Sequence, residues 1–315
     1  MSSADIEISL DAVIVAVTDG VPRLLTIEGP DGAPALPSGL LEPQDETLEI
    51  GLRRWVQEQT GLALGYAEQL YTFGDRVRGP SVPDEVRRLS IAYLALVGEG
   101  RPSAGASWQD IYAFFPWEDH RRGRPVVIDA VIRPALARFA EAGGAERAAR
   151  SERVKIAFGD AARSFDGVRV LERYELLYEV GLLHEAVGGR SAEGGRDDVG
   201  VAADVVASRP MYLDHRRIAA TALGRLRGKL TYRPVVFELL PPTFTLLQLQ
   251  RLVEALAGVG LHKQNFRRLV ESAGLVEGTG AYARTGGRPA ELFRFRREVL
   301  GERPRPGVGR PWVRT

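Results

Sequence analysis

The stretch from Pro242 to Phe295 restricts the fold of this 315-residue chain more than any other. Thr245 and Gln248 have the spacing of a capping box, and Leu246, Leu249, Val253 and Leu256 then recur at helical intervals. Gly258 and Gly260 break that helix. A second helix is expected from Lys263 to about Ala273, closed by Gly274, with Phe266, Leu269, Val270 and Ala273 turned inward. A short strand (Leu275–Glu277), a Gly-rich tip and a strand (Glu291–Phe295) follow. Two short helices and a hairpin in this order make a winged helix-turn-helix.

The outward face of the second helix carries Gln264, Arg267, Arg268 and Glu271, with Lys263 and Asn265 on its flanks. Arg can grip guanine bidentately, Gln and Asn can read adenine, and Lys can hold a phosphate. Arg284 and Arg288 lie in the wing loop, within reach of the backbone or a minor groove. The candidate DNA-binding set is therefore Lys263, Gln264, Asn265, Arg267, Arg268, Arg284 and Arg288. A winged helix that only packs against protein is the other reading.

Charge bears on that choice. The net charge of +1 hides a split: residues 1–205 carry 22 Lys+Arg against 33 Asp+Glu, and residues 206–315 carry 20 against 8. An acidic module joined to one built for a polyanion is expected. The basic Pro/Gly-rich end, with Arg303, Arg305, Arg310 and Arg314, supplies only part of the excess. Apolar residues make up 44% and charged residues 26%, a globular balance. There is no cysteine, which excludes disulfides and thiolate metal sites. No apolar run has the length of a membrane span, so a cytoplasmic protein with no membrane partner is expected.

Upstream, residues 7–17 and 22–27 read as strands around the turn Thr18-Asp19-Gly20. A Gly/Pro-rich loop (29–43) precedes a helix from about Thr47 to Gln59, stopped by Gly61. Residues 89–97 form a near-continuous apolar run, the mark of a strand covered on both faces. "IYAFFPW" (111–117) reads as a strand or strand end, and the segments 131–143 and 171–187 read as helices. Strands and helices mix without a βαβ rhythm, which predicts an α+β fold. Residues 188–204 read as a flexible loop, and 213–230 as a basic helix with Ile218, Ala222, Leu226 and Leu230 along one stripe.

Within the 47–59 helix, Arg54, Val56, Glu58, Gly61 and Leu62 agree with the Nudix signature, preceded by Gly39 and Glu46. Trp55 and Gln59 stand where that signature has glutamates. Its carboxylates hold divalent cations against a diphosphate. Glu58, with Glu46, is too small a set for hard cations that take several anionic oxygens, so no metal and no catalytic residue is expected. Trp55 shares a side with Leu48, Leu52, Val56 and Gln59 and occupies the space of the metal cluster. It can pack there or stack on a ring.

The strand pair, Gly-rich loop, box helix, "LYTFGD" and "AYLALV", together with "LRGKLTYRPVVFELLPPTFTLLQLQRLVEAL", "NFRR" and "GGRPAELFRF", resemble the Nudix-related transcriptional regulators of NAD metabolism, and most closely their alphaproteobacterial branch. The resemblance implies a Nudix-like α/β/α sandwich (1–187), a loop (188–212), a linker helix with a winged helix (213–300) and a basic tail (301–315). It implies a homodimeric repressor of NAD synthesis or uptake genes that binds a double-stranded DNA operator and senses NAD, ADP-ribose or ATP, with no catalytic cofactor. Carried over, the effector residues are Arg54, Glu58, Tyr71, Phe73, Asp75 and Arg76. Ordinary packing is the other reading of Tyr71 and Phe73, and Arg54 can pair with Glu58 one turn on. An active Nudix hydrolase of ADP-ribose-type substrates, with an appended winged helix, is the alternative function; a protein-interaction scaffold is the third.

Overall fold

The computed structural model describes residues 5–74, 86–160, 165–186, 206–284, 289–302 and 307. Its centre is a seven-stranded mixed sheet of β1 (Asp5–Thr18), β2 (Val21–Glu28), β3 (Pro34–Ala35), β4 (Ser38–Leu40), β5 (Tyr66–Phe73), β6 (Val86–Leu96) and β7 (Ala106–Asp110). The main order is β3-β2-β1-β6-β5, with β4 on β1 and β7 on β2. β1 and β2 are joined by a two-residue turn with both φ angles positive, Asp19 at 52° and Gly20 at 74°. That geometry matches the twist of paired antiparallel strands. β1 runs parallel to β6 over eleven residue pairs. The apolar run of β6 is central and covered on both faces, as its sequence predicts.

Alternation along β1 sorts the two layers. Leu10, Ala12 and Ile14 face the box helix α1 (Leu48–Thr60) with Leu52 and Val56, and Tyr93 and Ala95 of β6 join them. Val13, Val15, Ala92, Leu94 and Leu96 face the other layer. That layer holds α2 (Ile111–Phe114), α3 (Arg133–Glu141), α4 (Arg147–Phe158), α5 (Val170–Glu179) and α6 (His215–Leu230). The winged helix follows: α7 (Leu246–Ala257), α8 (Lys263–Ser272), β8 (Val276–Ala283) and β9 (Ala290–Phe295), with a terminal turn α9 (Val299–Glu302). Its Leu249, Val253, Phe266 and Val270 belong to the same apolar cluster as the sheet and α6. No helix among the described residues is long and apolar enough to cross a membrane.

Several local expectations are corrected. "IYAFFPW" is helical, as α2 followed by a 3₁₀ turn at Pro116–Glu118. The Asp110 side chain accepts the Tyr112 N–H at 2.9 Å and starts the helix, a signal that an unbroken apolar run masks. The 171–187 segment is no single helix, because α5 ends at Glu179 and Gly181 takes φ 75°. Neither β7 nor α4 is evident in the sequence pattern. The 188–204 stretch lies outside the described residues.

Helix α6 shows the largest departure. Its predicted stripe is fully buried, but so are His215, Arg216 and Arg227. Arg216 pairs with Glu185 (2.6 Å), Arg217 with Glu175, Arg227 with Glu118 (2.5 Å) and Lys229 with Glu68. At its start His215 Nδ1 accepts the Leu36 N–H (3.0 Å), which leaves the Nε2 proton facing Asp11 Oδ1 at 3.5 Å. A helix that reads as basic with one apolar stripe is the internal keel of the molecule.

Candidate nucleic-acid interface and box helix

Helix α7 starts at the capping box expected of it: the Thr245 hydroxyl accepts the Gln248 N–H, and the Gln248 side chain accepts the Thr245 N–H. It ends at Gly258 in the left-handed region, φ 70°. A Cβ there would lie 2.4 Å from both Arg227 Nη2 and the Glu118 carbonyl, so only glycine fits. The turn into α8 is fixed by side chains. Glu254 accepts the Leu261 N–H (2.8 Å) and an N–H of Gln250 (3.0 Å), while Gln250 also donates to the Leu261 carbonyl (3.0 Å). Sequence reasoning missed this pair. Their i, i+4 spacing was visible, but not that both close on the turn.

Helix α8 rests on Phe266 and Val270, both buried. Leu269, expected inward, is 37% exposed, and Ala273 is half-buried. Lys263, Gln264, Asn265, Arg267 and Arg268 all face solvent. Arg267 is drawn back by Glu271 (2.8 Å), whereas Lys263 and Arg268 have no ion pair among the described residues. His262 precedes the helix without a side-chain cap, so the first-turn N–H groups remain open to an anion. The wing hairpin is longer than predicted, reaching Ala283, with an irregularity between Gly278 and Tyr282. Phe244 bonds to Phe293 in both directions (2.9 and 2.7 Å) and seats the wing on the helix pair. Arg284 is exposed just past β8; Arg288 lies outside the described residues.

In the first half, α1 is capped by the Thr47 hydroxyl and closed by Gly61 at φ 70°. The two substituted box positions both reach the short strand β4. Gln59 clamps Ser38, accepting its N–H (3.0 Å) and donating to its carbonyl (2.7 Å). Trp55, half-buried, donates its indole N–H to the Leu40 carbonyl at 2.8 Å. Its ring lies on Gly39, where a Cβ would sit 2.0 Å from the indole. The box glycine is thus a seat for the tryptophan.

Arg54 does meet Glu58, but only at 3.7 Å. Its main partner is Asp45, bonded by Nε (3.1 Å) and Nη2 (2.9 Å), with Glu42 at 3.3 Å. The hydrogen bond from Arg54 draws the Asp45 carboxyl below its ordinary range. The guanidinium therefore stands among three carboxylates as their counter-charge. Glu46 and Glu58 are exposed, and the described residues contain no cluster of three His, Asp or Glu that could hold a metal.

Of the remaining effector candidates, Tyr71 is 63% exposed beside a β-bulge in β5, its ring edge-on to Phe73. Phe73 is 3% exposed and packs in the layer opposite α1, so it cannot stack a ligand beside the box helix. Asp75 and Arg76 lie outside the described residues.

A buried ionic hub, unforeseen from sequence, ties the halves together. Glu118 receives Arg173 (2.5 and 2.8 Å) and Arg227 (2.5 Å). Burial pushes its carboxyl up, and the two guanidiniums outweigh that and hold it below the ordinary range. Arg227 also donates to the carbonyls of Leu256 (3.1 Å), Gly167 (3.1 Å) and Glu118 itself (3.1 Å). The Tyr112 hydroxyl donates to the Ala255 carbonyl at 2.6 Å. One network thus holds α5, α6, the turn after α2 and the end of α7.

Residues 236–295 match the NrtR DNA-binding winged helix domain. Over 82 residues the chain is 40% identical to a protein of Acinetobacter baylyi named an ADPR responsive transcriptional repressor, NtrR; the match covers 26% of this chain and a third (33%) of that relative. The fold is similar to that of Shewanella oneidensis NrtR complexed with a 27mer DNA, with a TM-score of 0.54, 20% identity, and 93% of this chain and 95% of that chain covered. A MutT/nudix family protein from Enterococcus faecalis is similar at TM-score 0.52, 15% identity, and 94% and 88% coverage.

Proposed function

Taking as premise that this chain is an NrtR-type Nudix-related regulator in architecture, a Nudix-like domain followed by a C-terminal winged helix, we propose that it is a cytoplasmic, DNA-binding repressor of NAD synthesis or uptake genes. The carrying observation is the free cationic and amide set of α8, Lys263, Gln264, Asn265 and Arg268, on a domain whose sequence is of the NrtR DNA-binding type. Two chains pair, so that two α8 helices enter successive major grooves about one helical turn apart. Arg284 and Arg288 of the wing add backbone contacts. The domain limits read from the sequence are 1–187, 188–212, 213–300 and 301–315, with α6 of the third unit packed in the helical layer of the first as well as on the winged helix.

The effector is a nucleotide of the ADP-ribose type, a choice supported by the name of the Acinetobacter relative. Arg54, Glu58, Tyr71, Asp75 and Arg76 serve it. The first domain binds without hydrolysing, because Trp55 and Gln59 spend the box positions on holding β4. Binding can shift the two winged helices only by its differential affinity for their two placements.

The test is fluorescence anisotropy of a duplex from the promoter of the regulated genes, titrated with protein at several salt concentrations, then with ADP-ribose, NAD and ATP. Affinity falling steeply with salt and moved by ADP-ribose supports the reading. No binding at low salt overturns the DNA half, and no response to any nucleotide overturns the sensor half. AMP released from ADP-ribose with Mg²⁺ or Mn²⁺ would restore the hydrolase alternative.

A further inference from the structure

Beside the ionic hub, and away from the box helix, lies a cavity of about 220 Å³ lined by Trp117, His120, Ile128, Phe158, Phe165 and three arginines. Four features describe what it can hold. The first is its size. A cavity of roughly 150 Å³ holds benzene, while drug-sized ligands need about 300 Å³ or more, so this one fits a single ring with a small substituent and excludes a dinucleotide. The second is its wall: Ile128 and Phe158 line it beside the Phe165 and His120 rings, which stack on each other at 3.9 Å with a 30° tilt, Arg173 lying over the Phe165 ring at 4.7 Å.

The third feature is charge. Arg124 and Arg133 share the one exposed carboxylate of Asp129, at 3.2 and 3.7 Å, and Arg173 shares buried Glu118 with Arg227. Each carboxylate thus serves two guanidiniums. Asp160 is the carboxylate among the lining residues, and it is itself engaged. Burial lowers the pKa of His120 to about 4, so its ring is neutral near pH 7 and the cationic character belongs to the arginines. The fourth is an unmade bond. Trp117 is fully buried, and its Nε1–H has no acceptor among the described residues. An orphaned buried donor of this kind costs about 1–3 kcal/mol and asks for an acceptor.

We propose that this cavity binds a small carboxylate carrying one planar ring. The ring lies against Ile128 and Phe158 beside the stacked Phe165–His120 pair, and the carboxylate meets Arg124 and Arg133 and draws on the Trp117 N–H, which opens to the cavity only when an occupant shifts its cover. This site is separate from the nucleotide site proposed above and does not depend on it. Because Arg173 both lines the cavity and grips Glu118, an occupant sits one ion pair from Arg227 and the end of α7.

The test is isothermal titration calorimetry of the full chain with benzoate, acetate and inorganic phosphate, each to about 10 mM, which reaches weak affinities near the millimolar range. Saturable one-to-one binding of benzoate is expected, with acetate and phosphate at least about tenfold weaker. Arg124→Gln/Arg133→Gln and the cavity-filling Ile128→Phe should each lower benzoate affinity about tenfold, and Trp117→Phe, which keeps an aromatic ring, severalfold. Circular dichroism melts identify any variant that has unfolded, and the surface pair Arg124/Arg133 then decides. No saturable benzoate binding, or binding that ignores both the arginine pair and Ile128→Phe, overturns the proposal. Phosphate binding as tightly as benzoate overturns the ring. ADP-ribose titrated into the same variants reports on the other site independently.

Discussion

Glu118 and His120 show how much a single side chain decides here. Removing one member of a buried ion pair leaves an uncompensated charge, which typically costs about 3–5 kcal/mol. Glu118→Leu, which leaves the guanidiniums of Arg173 and Arg227 buried together without their carboxylate, should therefore lower stability by roughly that amount in urea denaturation. Glu118→Leu/Arg173→Met/Arg227→Met, which removes every charge, should recover most of the loss. Recovery absent from the triple variant would mean that the bonds to the Leu256, Gly167 and Glu118 carbonyls, and not the charges, hold α7. His120 gives a pH signature. Its folded pKa, about 4, is below the unfolded value of 6.5, so between those pH values the unfolded chain binds more protons. Stability from its neutral form is thus complete above pH 6.5 and lost as pH falls through about 4. His120→Gln should flatten the acid limb of stability against pH by about 1–3 kcal/mol, relative to the same variant at pH 7.5. An unchanged slope would mean that His120 titrates normally.

At the scale of elements, α8 separates cations that can meet DNA from one that is already engaged. Lys263→Ala and Arg268→Ala should each weaken promoter binding and reduce the magnitude of the salt slope by about 1, while Arg267→Ala, whose partner is Glu271, should do less. Equal losses from all three would show that DNA displaces Glu271. The predicted elements succeeded where periodicity and caps agree: α7 with its capping box, α1 between Thr47 and Gly61, and β6 with its unbroken apolar run. They failed where one face does not differ from the other. Ile111, Tyr112, Phe114, Phe115 and Trp117 are all buried, so helix and strand leave the same pattern, and only Asp110 distinguished them. The box was legible as a broken frame, since two substitutions stand out against a known spacing. That both substitutes fasten the helix to β4 was not legible, because it depends on an indole resting on a glycine sixteen residues earlier. Gln59→Ala should accordingly lower stability by about 1–2 kcal/mol through loss of two bonds to Ser38, measured by urea denaturation.

Across the whole molecule, the charge split means two things at once. The basic half reads as a polyanion surface, and α8 supports that, but four of its cations are already taken up in the protein's own ion pairs. Arg216, Arg217, Arg227 and Lys229 reach carboxylates of the acidic half, so part of the asymmetry is one half answering the other. Sequence could not show this, since charge counts do not reveal partners. Arg225 alone of the α6 cations is exposed, which keeps the helix from being a continuous basic face. The consequence is a division of salt sensitivity. Counterion release scales with phosphates neutralised, at about 0.9 per contact, whereas buried pairs are scarcely screened. Lys229→Met should leave the salt slope of promoter binding unchanged while lowering the urea midpoint, because its ammonium belongs to Glu68 and Tyr66. Lys263→Ala should lower the slope and leave the midpoint where it was, because its ammonium has no partner among the described residues. Measured together, the two variants form a crossed pair. A Lys229→Met protein with a reduced salt slope would place α6 against the DNA and open the Lys229–Glu68 pair in the complex.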